Sequence, residues 1–512
     1  MLRSLFTVSG WTGISRILGF LRDVLMAAVI GTGPIAEAFF VAFRLPNMFR
    51  RIFAEGAYAA AFVPLFSQEL KQSKLEARDF ANNAMAWLIL VLLVLGGLAL
   101  VFMPQLVDLL AGGFRADAEK FTLTVALARI CFAYLLFMAL TAHISSVLNA
   151  FGRFAAAAAA PVLLNVFFIC ALLAIVPFVS DTGHVLAWAA ALAGVAQVVL
   201  VWWAAKRAGF DIKLVVPRAT KGMGNLLKLM VPGTISAGVQ QINLLVGTRL
   251  VSSLTGAVAF LSYADRVYQL PLGLIGIGLS IVLLPSLSRL ISAGDQEAAN
   301  NKLNRGIELC LLLSLPAGAA LFLIPEQIVI VLFEHGMFER ADALATAAAL
   351  QAYAVGVPAF VLNKVMLPGF FARKDTKTPM YFAIASMVFF VALAFVFIGP
   401  YGFAGVALAS SLASIFNVAL LAVGLSVKGY WQFDGRLLKR SSSIVAASLG
   451  MSLVLMVLTS MLAGWFDETV GSTFGWQLLG LMTLVLAGGV SFFILAVLTK
   501  AVKKSDLKTL RS

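Results

Sequence analysis

The 512-residue sequence predicts an all-α polytopic membrane protein: about 14 transmembrane helices, forming two parallel six-helix lobes around a central cavity, plus two extra C-terminal helices. Three observations carry this expectation. Hydrophobic residues make up 61% of the chain and charged residues 12%, with a mean hydropathy of +0.97; soluble domains hold about 25% charged residues. Apolar runs long enough to span a bilayer recur from end to end, whereas a β-barrel would show short alternating segments. The positive charge alternates between connecting segments, and the sequence weakly matches itself at one fixed offset.

Along the chain, spans begin roughly at residues 11, 36, 83, 124, 159, 184, 226, 257, 306, 342, 380, 402, 442 and 474. The first apolar stretch is interrupted by Arg16, Arg22 and Asp23, so it reads as a retained span rather than a signal peptide. The N-terminus, the even-numbered loops and the C-terminal tail carry about 25 Lys and Arg, and the odd-numbered loops about three, Arg115, Lys120 and Arg340. That asymmetry places both termini in the cytoplasm. It also explains the net charge of +14 as topogenic charge near anionic lipid, with no nucleic-acid partner.

Sliding the chain by 221 positions sets AEAFF (36–40) on AVAFL (257–261), VPLFS (63–67) on LPSLS (284–288) and Pro104 on Pro325. Each copy holds six spans, an even number, so the copies keep the same orientation. The expected divisions are 1–215 for the N-terminal lobe, 216–430 for the C-terminal lobe, and 431–512 for two added spans with a basic tail. KRAGFDIKLVVPRATK (206–221) links the copies.

Cys131, Cys170 and Cys310 each sit in an apolar run and read as small buried hydrophobes. The three histidines are far apart and show no metal-ligand spacing, and neither a nucleophile motif nor a phosphate loop is present, so no metal, cofactor or catalytic residue is expected. The signal lies in buried charge. Each ionised side chain near mid-membrane costs about 2.5–3.5 kcal/mol on insertion scales, yet span 2 carries Glu37, Arg44, Arg50, Arg51 and Glu55. Span 1 adds Arg16, Arg22 and Asp23 in GISRILGFLRDVL (13–25), and span 8 adds Asp265 and Arg266 in SYADRVYQLP (262–271). Pro46 and Gly56 mark a bend or break in span 2. Arginine holds its charge at all pH values and grips phosphate with a planar fork, so an arginine-lined cleft suits an anionic, phosphate-bearing substrate. Cationic drugs would call instead for acids and aromatics, an enzyme would need a metal or general-base cluster, and a scaffold would leave the buried arginines unexplained.

SRILGFLRD, AEAFFVAFRLPNMFRRIFAEGAYAAAFVP, YADRVYQLPLG, IVLLPSLSRL and LPGFFARKDTKTP resemble the MurJ (MviN) family of lipid II flippases, within the multidrug/oligosaccharidyl-lipid/polysaccharide exporter superfamily. The resemblance runs over the whole chain. It implies a transporter of the bacterial cytoplasmic (inner) membrane that moves lipid II, an undecaprenyl-pyrophosphate glycopeptide, from the inner to the outer leaflet for peptidoglycan assembly. It implies no enzyme activity, a groove for the polyprenyl tail at the added helices, and peptidoglycan synthesis proteins as conceivable partners besides membrane lipids. Carried over residue by residue, it implies substrate contact at Arg16, Arg22, Arg50 and Arg266, with Asp23, Glu37, Glu55 and Asp265 as counter-charges or gating groups. The superfamily also holds flippases for other polyprenyl-pyrophosphate glycans and drug or metabolite antiporters. Some members bind sodium through acids in spans 7 and 11; here span 7 offers Gln240, Gln241 and Asn243, and 380–398 holds no acid.

Overall fold

The computed structural model describes residues 2–51, 57–467 and 473–502. Every regular element among them is helical. Among the described residues nine helices are long and apolar enough to cross a membrane, or ten if one bent pair counts as a single span. Contacts divide the chain into two compact units, Met1–Ala259 and Phe260–Ser512.

The first unit begins with α1 (Leu2–Ile30), α2 (Pro34–Arg50), α3 (Ala57–Gln72), α4 (Lys74–Val101) and α5 (Met103–Ala111). It continues with α6 (Ala118–Ala150), α7 (Ala155–Ala174), α8 (Thr182–Arg207) and α9 (Lys221–Val251). α10 (Ala257–Pro271) leads into the second unit, which holds α11 (Gly278–Ser292), α12 (Gln296–Leu323), α13 (Pro325–Phe333), α14 (Arg340–Ala354), α15 (Val357–Phe371) and α16 (Lys377–Val427). α17 (Gly435–Met461) and α18 (Phe474–Leu498) complete it.

The internal match is written into these lengths. α4 and α12 are each 28 residues and start 222 positions apart, and α5 and α13 are each nine residues at the same spacing. α6 and α14, and α7 and α16, also begin 222 positions apart. Pro104 and Pro325 sit in the first turns of α5 and α13, where a missing N–H costs nothing. Ser73 caps α4 by accepting from the Leu75 N–H, and Asp295 caps α12 by accepting from the Ala298 N–H. One difference is local: the α7–α8 link holds a short 3₁₀ turn at Val176–Phe178, whereas α16 turns at Gly402, whose φ of 56° suits glycine.

The cores match as well. In the first unit, Tyr58, Phe62, Phe66, Phe80, Val147 and Phe210 pack together where α3, α4 and α6 converge. In the second, Leu283, Leu287, Leu303, Val365, Phe370 and Trp431 do the same for α11, α12 and α15. α17 and α18 pack on each other, and α17 lies on α12 through Ile444 and Ala447 against Leu311 and Leu315. α2 runs through Pro46 and ends at Arg50, so no break falls at Pro46; Gly56 lies outside the described residues. Cys170 is also a correction: Cys131 and Cys310 are buried, but Cys170 is exposed on α7, because in a membrane protein an apolar run does not distinguish an interior face from a lipid-facing one.

Candidate substrate site

α1 places Arg22 and Asp23 near its middle, both buried at 8% and 6% exposure. The Arg22 guanidinium donates to Asp23 Oδ1 from Nε at 3.0 Å and from a terminal nitrogen at 2.7 Å. It also donates to Asn165 Oδ1 on α7 at 3.0 Å, and its carbon lies 5.5 Å from the Phe168 ring centroid. Asn165 in turn donates to the Ser15 carbonyl at 2.9 Å. A charge buried here is tolerable because its donors are spent on an acid and an amide.

Arg16 stands differently. It is half-buried and lines a cavity of about 480 Å³ with Thr12, Ser15, Asn149, Phe154 and Pro161. Among the described residues no hydrogen bond or ion pair reaches it. Arg50, half-buried at the end of α2, donates from Nε to Asn47 Oδ1 at 3.2 Å. Arg22 and Arg50 both act electrostatically on the buried Tyr134 hydroxyl of α6, so these two predicted arginines share a neighbourhood. Asp265 accepts from the Gln269 amide, and Arg266 beside it is exposed; both belong to the second compact unit. Glu55 lies outside the described residues.

Glu37 does not serve an arginine of its own helix. At 1% exposure it pairs with Lys120 of α6, and its other oxygen accepts the Val258 N–H at 3.1 Å in the first turn of α10. Lys120, counted from the sequence as a loop charge, is 9% exposed, and its ammonium sits 3.9 Å from the Phe114 ring centroid. At 100° per residue Glu37, Arg44 and Arg51 fall on one stripe of span 2, but that stripe disperses: Glu37 goes to α6, Arg44 donates to Thr248 on α9 at 2.6 Å, and Arg51 is exposed. Arg129 on α6 is exposed as well, with no partner among the described residues. Sequence reasoning missed Lys120 and Asn165. A lone amide in AAAAAAPVLLNVFF (155–168) was a readable signal, since an amide in an apolar span needs a partner.

Among the described residues no group of three His, Cys, Asp or Glu could hold a metal ion. The chemistry on offer is electrostatic: guanidinium groups, one of them unpaired and facing a cavity.

The family model described as "Lipid II flippase MurJ" matches residues 26–475. The chain belongs to the MurJ family. It is 42% identical over 502 residues to a probable lipid II flippase MurJ of Rhizobium meliloti (strain 1021), covering 97% of this chain and 93% of that one. It is 34% identical over 458 residues to the lipid II flippase MurJ of Burkholderia cenocepacia, covering 88% of each. A solved MurJ structure in an inward closed conformation matches with a TM-score of 0.79 and 27% identity, over 96% of this chain and 97% of that one. An inward-facing multidrug transporter of the MATE family matches with a TM-score of 0.65 and 17% identity, over 84% of this chain and 96% of that one, a likeness of fold alone. MurJ proteins are integral membrane transporters, so this chain is a transporter and not an enzyme.

Proposed function

We propose that this MurJ-family chain moves lipid II from the inner to the outer leaflet of a bacterial cytoplasmic membrane by alternating access. The fourteen spans form two six-helix lobes, 1–215 and 216–430, with 431–512 added, and both termini are cytoplasmic under the charge asymmetry of the loops. The observation that carries the reading is Arg16, a guanidinium in an apolar span that faces a cavity and has no acid among the described residues. A cation in that position is stabilised by an anion, and a pyrophosphate offers two adjacent anionic groups with the geometry a guanidinium grips best.

Arg16 receives the pyrophosphate first. Arg22 joins when the Arg22–Asp23–Asn165 network opens, Arg50 and Arg266 complete the set, and Asp23 and Asp265 take the guanidinium charge back after release. Membrane potential can assist the return, since one charge crossing 100 mV is worth about 2.3 kcal/mol.

Lipid II binding to the purified protein, followed by native mass spectrometry beside Arg16→Ala and Arg266→Ala with a neutral lipid as control, tests this. Loss of a charge-assisted bond of about 1.5–3 kcal/mol weakens binding roughly 10- to 150-fold in Arg16→Ala. Equal retention by all three proteins overturns the arginine site.

A further inference from the structure

We propose that the segment joining α8 to α9 is a membrane-surface wedge that inserts Leu214, Val215 and Val216 among anionic lipid headgroups. Leu214 and Val216 are 78% and 79% exposed, and Val215 is 41% exposed. They belong to no helix, so they are not the lipid-facing stripe of a span. Their exposure is held in place by the fold. Asn82 on α4 accepts the Lys213 N–H at 3.1 Å, and Asn83 accepts the Arg218 N–H at 2.7 Å. Asn83 and Trp87 both donate to the Arg218 carbonyl, at 2.9 and 3.0 Å. Upstream, Phe210 is buried against Phe66 and Phe151. The chain is thus pinned at 213 and 218, and the apolar triplet rides on the arch between the pins.

The second copy shows that such a clamp does not require an exposed triplet. There Asn304 donates to the Gln432 carbonyl and accepts from Trp431, whose indole is turned inward and buried. Of the aromatic side chains Tyr430, Trp431 and Phe433, Phe433 is the exposed one before Asp434 caps α17.

Charge and depth select the occupant. The segment 206–221 holds five cations, Lys206, Arg207, Lys213, Arg218 and Lys221, against Asp211, which already pairs with Arg78 at 2.6 Å. Lys206 and Arg207 stack on Trp202 and Trp203 at the end of α8, the aromatic and cationic pairing of a membrane–water interface. Among the described residues the backbone of 214–217 makes no hydrogen bond. Its polar groups therefore need water and headgroups, which excludes the hydrocarbon core and fixes a shallow insertion of about 5–10 Å. A protein partner would have to supply both an apolar cleft and an acidic rim; an anionic leaflet beside a membrane protein supplies both already.

The test uses the full chain with Cys170→Ser and Val216→Cys, the other two cysteines being buried. A nitrobenzoxadiazole label at position 216 is followed in nanodiscs of phosphatidylcholine alone or with phosphatidylglycerol. Quenching by lipid brominated near the headgroup, set against quenching by iodide, reports the depth. The expected result is roughly twofold quenching by brominated lipid, little by iodide, and a stronger lipid signal with phosphatidylglycerol. With Lys213→Gln, Arg218→Gln and Lys221→Gln together, immersion falls by up to about 100-fold, at about fivefold per cation, and iodide access returns. Iodide quenching in both lipids overturns the proposal. So does shielding from both quenchers, which would mean a protein cover, and so does equal lipid quenching with and without phosphatidylglycerol.

Discussion

The two copies share a scaffold and differ in charge, often at matching positions. Under the 221-residue offset, Glu37 of α2 stands where Val258 stands in α10, and Arg44 stands where Asp265 stands. Aligned by their helix starts, 222 positions apart, Lys120 in the first turn of α6 has Asp342 as its counterpart in the first turn of α14, where it closes a capping box with Glu339. The buried Glu37–Lys120 pair therefore belongs to the first copy alone, although one of its hydrogen bonds lands on Val258, the counterpart of Glu37 itself. Helix lengths, capping residues and core positions repeat because packing and hydrogen-bond closure constrain both copies equally. Charge does not repeat, because a buried ion depends on one particular partner rather than on the shared scaffold.

The largest break in that comparison comes from Lys120. Lys120→Met leaves the Glu37 carboxylate buried with one backbone N–H, and removing one partner of a buried pair costs about 3–5 kcal/mol. Thermal unfolding of the detergent-solubilised protein reads this as a large loss, and Lys120→Met with Glu37→Gln recovers much of it. Asp342→Ala in the second copy removes one half of the α14 capping box, at about 0.5–2 kcal/mol. Equal losses for the two single variants would mean that the first copy gains no special stability from its buried pair.

A smaller difference separates the two clamps. Asn304→Ala strands the buried Trp431 N–H and costs about 2–3 kcal/mol, since a buried donor is left unmade. Asn83→Ala frees the N–H of Arg218, an exposed residue that water can reach, leaves its carbonyl to Trp87, and costs about 0.5–1.5 kcal/mol. Thermal unfolding of both variants checks the order, and a costlier Asn83→Ala would show that the α8–α9 segment is held by more than its hydrogen bonds.

The fold was legible because hydropathy and repeat spacing are properties of the chain taken in order. α4 and α12 can be aligned by counting, and so can Pro104 and Pro325. Identifying which residues carry charge was equally direct. Their partners were not, because the partner of a buried ion is set by which helices touch. Helical geometry put Glu37, Arg44 and Arg51 on one stripe, but α2 packs against α6 and α8, and Glu37 meets Lys120, 83 positions away. Asn165 and Thr248 stayed out of view because a census of charges passes over neutral groups that satisfy them. Glu55 falls outside the described residues.

The smallest contrast lies in how each copy joins its last two spans. In the first, Asp181 caps α8 by accepting the His184 N–H at 3.1 Å, and His184 Nδ1 lies 2.8 Å from its other oxygen. The His184 side chain holds the Asp181 carboxyl below the usual carboxylate range against the opposing effect of burial, and the His184 backbone N–H adds to the lowering. In the second, the turn at Gly402 carries no carboxylate. A depressed folded-state pKa contributes stability that is present above the unfolded value of about 3.9 and is lost as pH falls through the folded one. Asp181 is 56% exposed, so solvent screening holds the contribution to about 0.2–0.5 kcal/mol. Hydrogen exchange, corrected for its intrinsic pH dependence, should rise modestly in peptides covering 176–184 as pH falls below about 4, while peptides covering 398–405 hold their protection. Asp181→Asn should remove that response. If it persists in the variant, the acid sensitivity of the first copy comes from another group, and the two connections differ in backbone conformation only.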